Sequence, residues 1–154
     1  MVSPETTLSS RSHWIVVADE FQAIFYARED KHSPLQKLST FENETAREKL
    51  ADLISDRGGR SFGSQGAGRH AYDEEKSNLK TQSYAAFAKN VAERIREGSL
   101  GRKFRKLIII APPRFLGVLR KALDKAGVEP DLTINKEVTG QDAAFIQKLL
   151  EKTK

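Results

Sequence analysis

The sequence predicts an α/β fold, a five-stranded mixed sheet in the order 3-2-1-4-5 with flanking helices. Three observations predict it. Three short strand-like runs come first, separated by turn residues. Two helix-to-strand passages and a closing helix follow, the pattern that builds a layered sheet. Within them, Leu107-Ile108-Ile109-Ile110-Ala111 is apolar without alternation, as strands buried on both faces are. Right-handed crossovers set this run beside Trp14–Ala18.

Taken in order, Met1–Ser12 is polar and reads as a disordered tail. Trp14 to Ala18 is an apolar strand of the buried kind. Asp19-Glu20 makes a turn, and Phe21 to Arg28 returns with Ala23, Phe25 and Ala27 on one face. A turn at Lys31-His32-Ser33-Pro34 leads to a third strand, Leu35 to Phe41. Thr45-Ala46-Arg47-Glu48 has capping-box spacing, and Ala46, Leu50, Leu53 and Ile54 continue as a short helix ending near Ser55.

After a glycine-rich loop at 57–70, Tyr72 to Glu97 reads as the longest helix. Its stripe is Tyr84, Ala88, Val91, Ala92 and Ile95, and Gly98 is placed as its terminator. Pro112-Pro113 stops the Leu107–Ala111 strand and opens a helix with Phe115, Leu116, Leu119, Leu123 and Ala126 inward, ended by Gly127. Leu132 to Val138 is the last strand. Thr139 to Asp142 repeats the capping spacing before a helix that buries Ile146, Leu149 and Leu150. This element order is that of a ribonuclease H-like fold, in a single domain spanning 13–152.

Composition bounds the chemistry. At 154 residues, 38% hydrophobic and 31% charged, the chain suits one soluble globular domain. It has no cysteine, hence no disulfide, thiolate metal site or thiol nucleophile. The longest apolar run is far shorter than the roughly 20 residues that span a bilayer. With no signal-peptide pattern at the amino terminus, the expected address is cytoplasmic, without membrane contact. The net charge of +5 is unevenly spread. Residues 101–125 hold eight cations against Asp124 alone, a net of +7, and the glycine-rich stretch adds +3. Such concentration points to a polyanion, RNA above all.

The stretch Arg57 to His70 holds five of the ten glycines, three arginines and no acid. A bare backbone with guanidinium groups suits phosphate. Neither nucleotide signature fits. No strand precedes Gly66-Ala67-Gly68, and Arg69-His70 stands where a P-loop needs lysine and a hydroxyl. Two-metal nuclease chemistry needs converging carboxylates, but the fourth strand runs into Ala111-Pro112-Pro113 with no acid. Asp19 therefore reads as a turn residue. His13, His32 and His70 have no metal-ligand spacing, and His70 lacks a partner for nucleophilic catalysis. No catalytic residue, metal or cofactor is expected.

Several segments resemble the bacterial family "protein required for attachment to host cells". They are Trp14 to Asp19 with Phe25, Asp56 to Phe62, Gly68-Arg69-His70, Phe87-Ala88, Leu107 to Leu116 and Asp131-Leu132-Thr133, spread over roughly residues 12–150. That family is similar in turn to the central domain of archaeal and eukaryotic class I peptide release factors, whose Gly-Gly-Gln loop follows the third strand. The resemblance implies a loop in the comparable place. Here Gly58-Gly59 precedes Arg60, and Gln65 follows Ser64, so no Gly-Gly-Gln stands in the chain and peptidyl-tRNA hydrolysis does not carry over.

The expectation is a non-enzymatic module for structured RNA, ribosome-associated, with Arg57, Gly58, Gly59, Arg60, Gln65, Arg69 and His70 in the loop contacts. Arg102, Lys103, Arg105 and Lys106 form the supporting patch. The alternatives are a protein-interaction module acting indirectly in host attachment and, last, a hydrolase that uses the loop. The sequence leaves the oligomeric state open.

Overall fold

The computed structural model describes residues 12–48, 51 and 66–153, and within 66–82 it describes the backbone alone. The strands are β1 (His13–Ala18), β2 (Gln22–Arg28), β3 (Gln36–Glu42), β4 (Lys106–Ala111) and β5 (Leu132–Asn135). The helices are α1 (Gly66–Leu100), α2 (Pro113–Ala126) and α3 (Ala143–Lys152), with a further helical turn at 44–48. The five strands form one mixed sheet in the order β3-β2-β1-β4-β5. β1 and β4 pair in parallel, Trp14 opposite Leu107 and Val17 opposite Ile110, as the crossover rule requires.

Every residue of β1 is buried, because each face of the sheet supports its own core. On one side Trp14, Val16 and Ala18 pack with Phe87, Val91 and Ile95 of α1 and Phe115 and Leu119 of α2. On the other, Ile15, Val17, Ile108 and Ile110 meet Ile146 and Leu150 of α3. Each large side chain so buried stabilises the fold by roughly 1.5–3 kcal/mol, so the central strands dominate its stability. Asp131 fixes where β4 begins. Its carboxylate accepts from Leu107 N at 2.7 Å, and its own N–H donates to Leu107 O at 2.8 Å.

Local chemistry corrects several boundaries. Gly98 is not a terminator: α1 continues to Leu100, and a Cβ on Gly98 would lie 2.5 Å from the Trp14 ring. The glycine is there so that helix and strand can approach. The left-handed residue of this turn is Arg102, at φ 54°. Gly127 is a true left-handed cap, at φ 77°. The turn at 44–48 is capped by Asn43, whose side-chain oxygen accepts from Ala46 N, and not by Thr45. Helix α3 is capped by Asp142, which accepts from Phe145 N at 2.9 Å. Thr139 is drawn away from capping because its hydroxyl donates across to Asp19. β5 ends at Asn135, short of Val138, since Glu137 turns toward Arg114. Leu149 is only partly buried.

Three expectations lie largely outside the described residues: the tail, of which only Ser12 is described, the continuation of the short helix through Leu50, Leu53 and Ile54 toward Ser55, and the loop from 57 to 65. Helix α1 begins at Gly66, inside the segment read as loop. Once a helix is long, each further residue adds a hydrogen bond, and cooperativity overrides the weak propensity of two glycines.

Candidate functional site

In an open α/β sheet, ligands gather beyond the carboxyl ends of the parallel strands. Here that end holds a polar cluster. Asp19 and Glu20 follow β1, Arg114 lies in the first turn of α2 after β4, and Glu137 and Thr139 follow β5. Ser83 and Tyr84 come from α1. Asp19 makes its turn, accepting from Phe21 N and Gln22 N at 2.8 and 2.9 Å, and its second oxygen accepts from Thr139 at 2.7 Å. The Asn43 amide donates to Glu20 O at 2.9 Å and to the Ser83 hydroxyl at 3.1 Å, tying β1 to α1.

Glu20 is 3% exposed, and Arg114 donates to its carboxylate and to that of Glu137. Burial would raise the Glu20 pKa, but the Arg114 and backbone hydrogen bonds, with Tyr84 nearby, outweigh it and hold the group below its ordinary value. The Arg114 guanidinium is pushed up in return, first by Glu20. Tyr84 is raised by burial and then by Glu20. Asp19, Glu20 and Glu137 each bring a carboxylate oxygen within 4.8 Å of the others, a set that could hold a cation. Arg114 already supplies positive charge there. A carboxylate kept ionised in this way is a weak base, suited to charge pairing rather than proton transfer.

The amino end of the same sheet is basic. Arg102, Lys103, Arg105 and Lys106 are all exposed, and among the described residues no acid lies within ion-pair distance of them. Backbone bonds fix this turn: Gly101 N to Glu97 O, Lys103 N to Gly98 O and Arg105 N to Ser12 O, at 2.8–3.0 Å. Arg28 and His13 adjoin it, buried at 6% and 5% exposure.

A family model described as "Protein required for attachment to host cells" matches residues 14–150. The chain belongs to this family. No curated protein matches it. Of the residues expected to form the site, the structure brings Arg102, Lys103, Arg105 and Lys106 together in one turn. Arg69 and His70 fall in the first turns of α1, with their side chains undescribed. Arg57, Gly58, Gly59, Arg60 and Gln65 lie outside the described residues. Sequence reasoning missed the grouping of Glu20, Arg114 and Glu137, although each follows a strand that the topology makes parallel, which is the signal that would have found it. Among the described residues no helix is long and apolar enough to cross a membrane.

Proposed function

We propose that the chain is a cytoplasmic, non-enzymatic binding module for structured RNA, ribosome-associated and acting on host attachment indirectly. The observation that carries this reading is the turn 102–106: four exposed cations, unpaired with acids among the described residues and held on a backbone fixed at both ends. A fixed cationic turn loses little freedom on meeting a phosphate backbone, so its charge goes into affinity. The arginine-glycine stretch ahead of α1 adds a second basic element in sequence. The absence of Gly-Gly-Gln argues for binding without peptidyl-tRNA hydrolysis.

Binding of a structured RNA, followed across a salt series, tests the proposal. Replacing Arg102, Lys103 and Arg105 together by alanine should lower the slope of log affinity against log salt by roughly two to three units, at about 0.7–0.9 per phosphate contact. In sucrose gradients of cell extract the parent should sediment with ribosomes and the triple variant should not. A parent that shows no RNA affinity at low salt would overturn the reading.

A further inference from the structure

The register of the sheet sets an arginine, a histidine and a lysine side by side. Arg28 of β2 is opposite His13 of β1, and His13 is opposite Lys106 of β4. Directly paired residues project from the same face, and a proton on His13 would be repelled by the cations on either side. The next two rows on this face are Tyr26–Ile15–Ile108 and Ile24–Val17–Ile110, which are apolar apart from one phenol. The change at the last row is abrupt. Nor are its polar atoms satisfied: His13 Nδ1 and Arg28 Nε are buried and have no hydrogen-bond partner among the described residues. Unsatisfied buried donors of this kind cost stability unless something fills the place.

We propose that the Arg28–His13–Lys106 row is a binding site for one oxyanion of the phosphate class. Adjacent strands lie about 4.8 Å apart, so side chains as long as arginine and lysine on the outer two can converge above the middle one. A tetrahedral anion accepts from several directions at once, which suits a guanidinium fork, an imidazole and an ammonium approaching from three strands. Lys106 is exposed and leaves the row open to solvent.

The charges around His13 favour an anion, while two acids oppose it at Arg28. His13 is held below its ordinary pKa by burial first, then by Arg28, Lys106 and Arg105, with Asp30 opposing. Arg28 is lowered by burial, against Asp30 and Glu151. A bound oxyanion would offset those cations and bring the proton back to His13. The site adjoins the proposed RNA surface and shares Lys106 with it, but its own groups carry it. Free phosphate and a nucleic-acid phosphate are the two sources of this chemistry.

The test is an NMR titration of the His13 imidazole at constant ionic strength, in chloride, in sulfate, in inorganic phosphate and with a short single-stranded oligoribonucleotide. Sulfate stays a dianion over this range, so it isolates the histidine. The expected result is a His13 titration displaced to higher pH in sulfate and phosphate relative to chloride. Lys106→Ala, at an exposed position that keeps the fold, should weaken sulfate binding several-fold, and Arg28→Gln should abolish it. A response to phosphate without one to the oligoribonucleotide supports the site while counting against the RNA reading. A response to the oligoribonucleotide alone supports it as a subsite for nucleic-acid phosphate. Titration curves that coincide in all four solutions would overturn the proposal.

Discussion

The two ends of the sheet are both charged, and they manage charge in opposite ways. At the carboxyl end Glu20 is nearly as buried as any core residue and its Oε1 also lacks a hydrogen-bond partner among the described residues, yet Arg114 pairs with its Oε2 and with Glu137, while Thr139 and two backbone N–H groups satisfy Asp19. At the amino end Arg28 and His13 are as buried, face Lys106 across the register, and keep unpartnered nitrogens. A buried charge with its partner in place is a structural part. One buried without a counter-ion in contact is costly to the fold and informative about what it waits for. The contrast separates a charged group that stabilises the fold from one that strains it.

The largest effect expected from breaking that contrast is at the paired end. Arg114→Ala leaves Glu20 buried without its counter-charge and should destabilise by roughly 3 kcal/mol, the low side for a pair whose arginine is half exposed. Arg28→Met at the other end removes a buried, crowded cation and should cost far less, under about 1 kcal/mol. Denaturant unfolding of the two variants side by side checks both, and equal losses would erase the distinction.

The pH dependence sharpens it. His13 has a folded pKa below its ordinary 6.5, so its contribution is complete above that value and is lost as pH falls from 6.5 through the folded value. Glu20, also depressed, contributes above its ordinary 4.5 and is lost as pH falls through its own lower value. Acid weakening should therefore come in two stages, each of at most about 1.4 kcal/mol per pH unit for one proton. Thermal unfolding from pH 8 to 3 should show His13→Gln without the first stage and Arg114→Ala with the second reduced.

A smaller effect, of opposite sign, belongs to the basic turn. Arg102 occupies the left-handed region, where a non-glycine residue costs roughly 1–2 kcal/mol. Arg102→Gly should raise stability by up to about 1 kcal/mol while weakening RNA binding, measurable by calorimetry and by a filter-binding series. The smallest change expected is from Lys103→Ala, an exposed side chain, with stability within about 0.5 kcal/mol of the parent.

Much of the fold was legible because its signals are local and strong. The run Leu107–Ala111 and the Pro112-Pro113 stop are written in consecutive residues, and β4 and α2 stand where they predict. What was misread depends on distant partners. Gly98 has the same letters whether it ends a helix or admits Trp14, and only packing decides. Thr139 and Asp142 both suit a cap, until Asp19, 120 residues away, takes the threonine hydroxyl. The cluster of Glu20 with Arg114 spans 94 residues and appears only once β1 and β4 lie parallel. Arg28, His13 and Lys106 look unrelated in sequence, because a cross-strand row exists only in a register.

Helix α1 packs on the sheet from Ser83, bonded to Asn43, to Gly98, seated against Trp14. Its 17 residues from 66 to 82 continue ahead of Ser83 for roughly 25 Å of helix. Gly98 thereby sets a phase as well as a contact. Each residue inserted ahead of Ser83 would turn everything upstream by about 100° and advance it by about 1.5 Å, with the packed stretch untouched. An insertion of one residue thus rotates the backbone of the first turns away, and an insertion of four returns it nearly to its bearing, one turn further out.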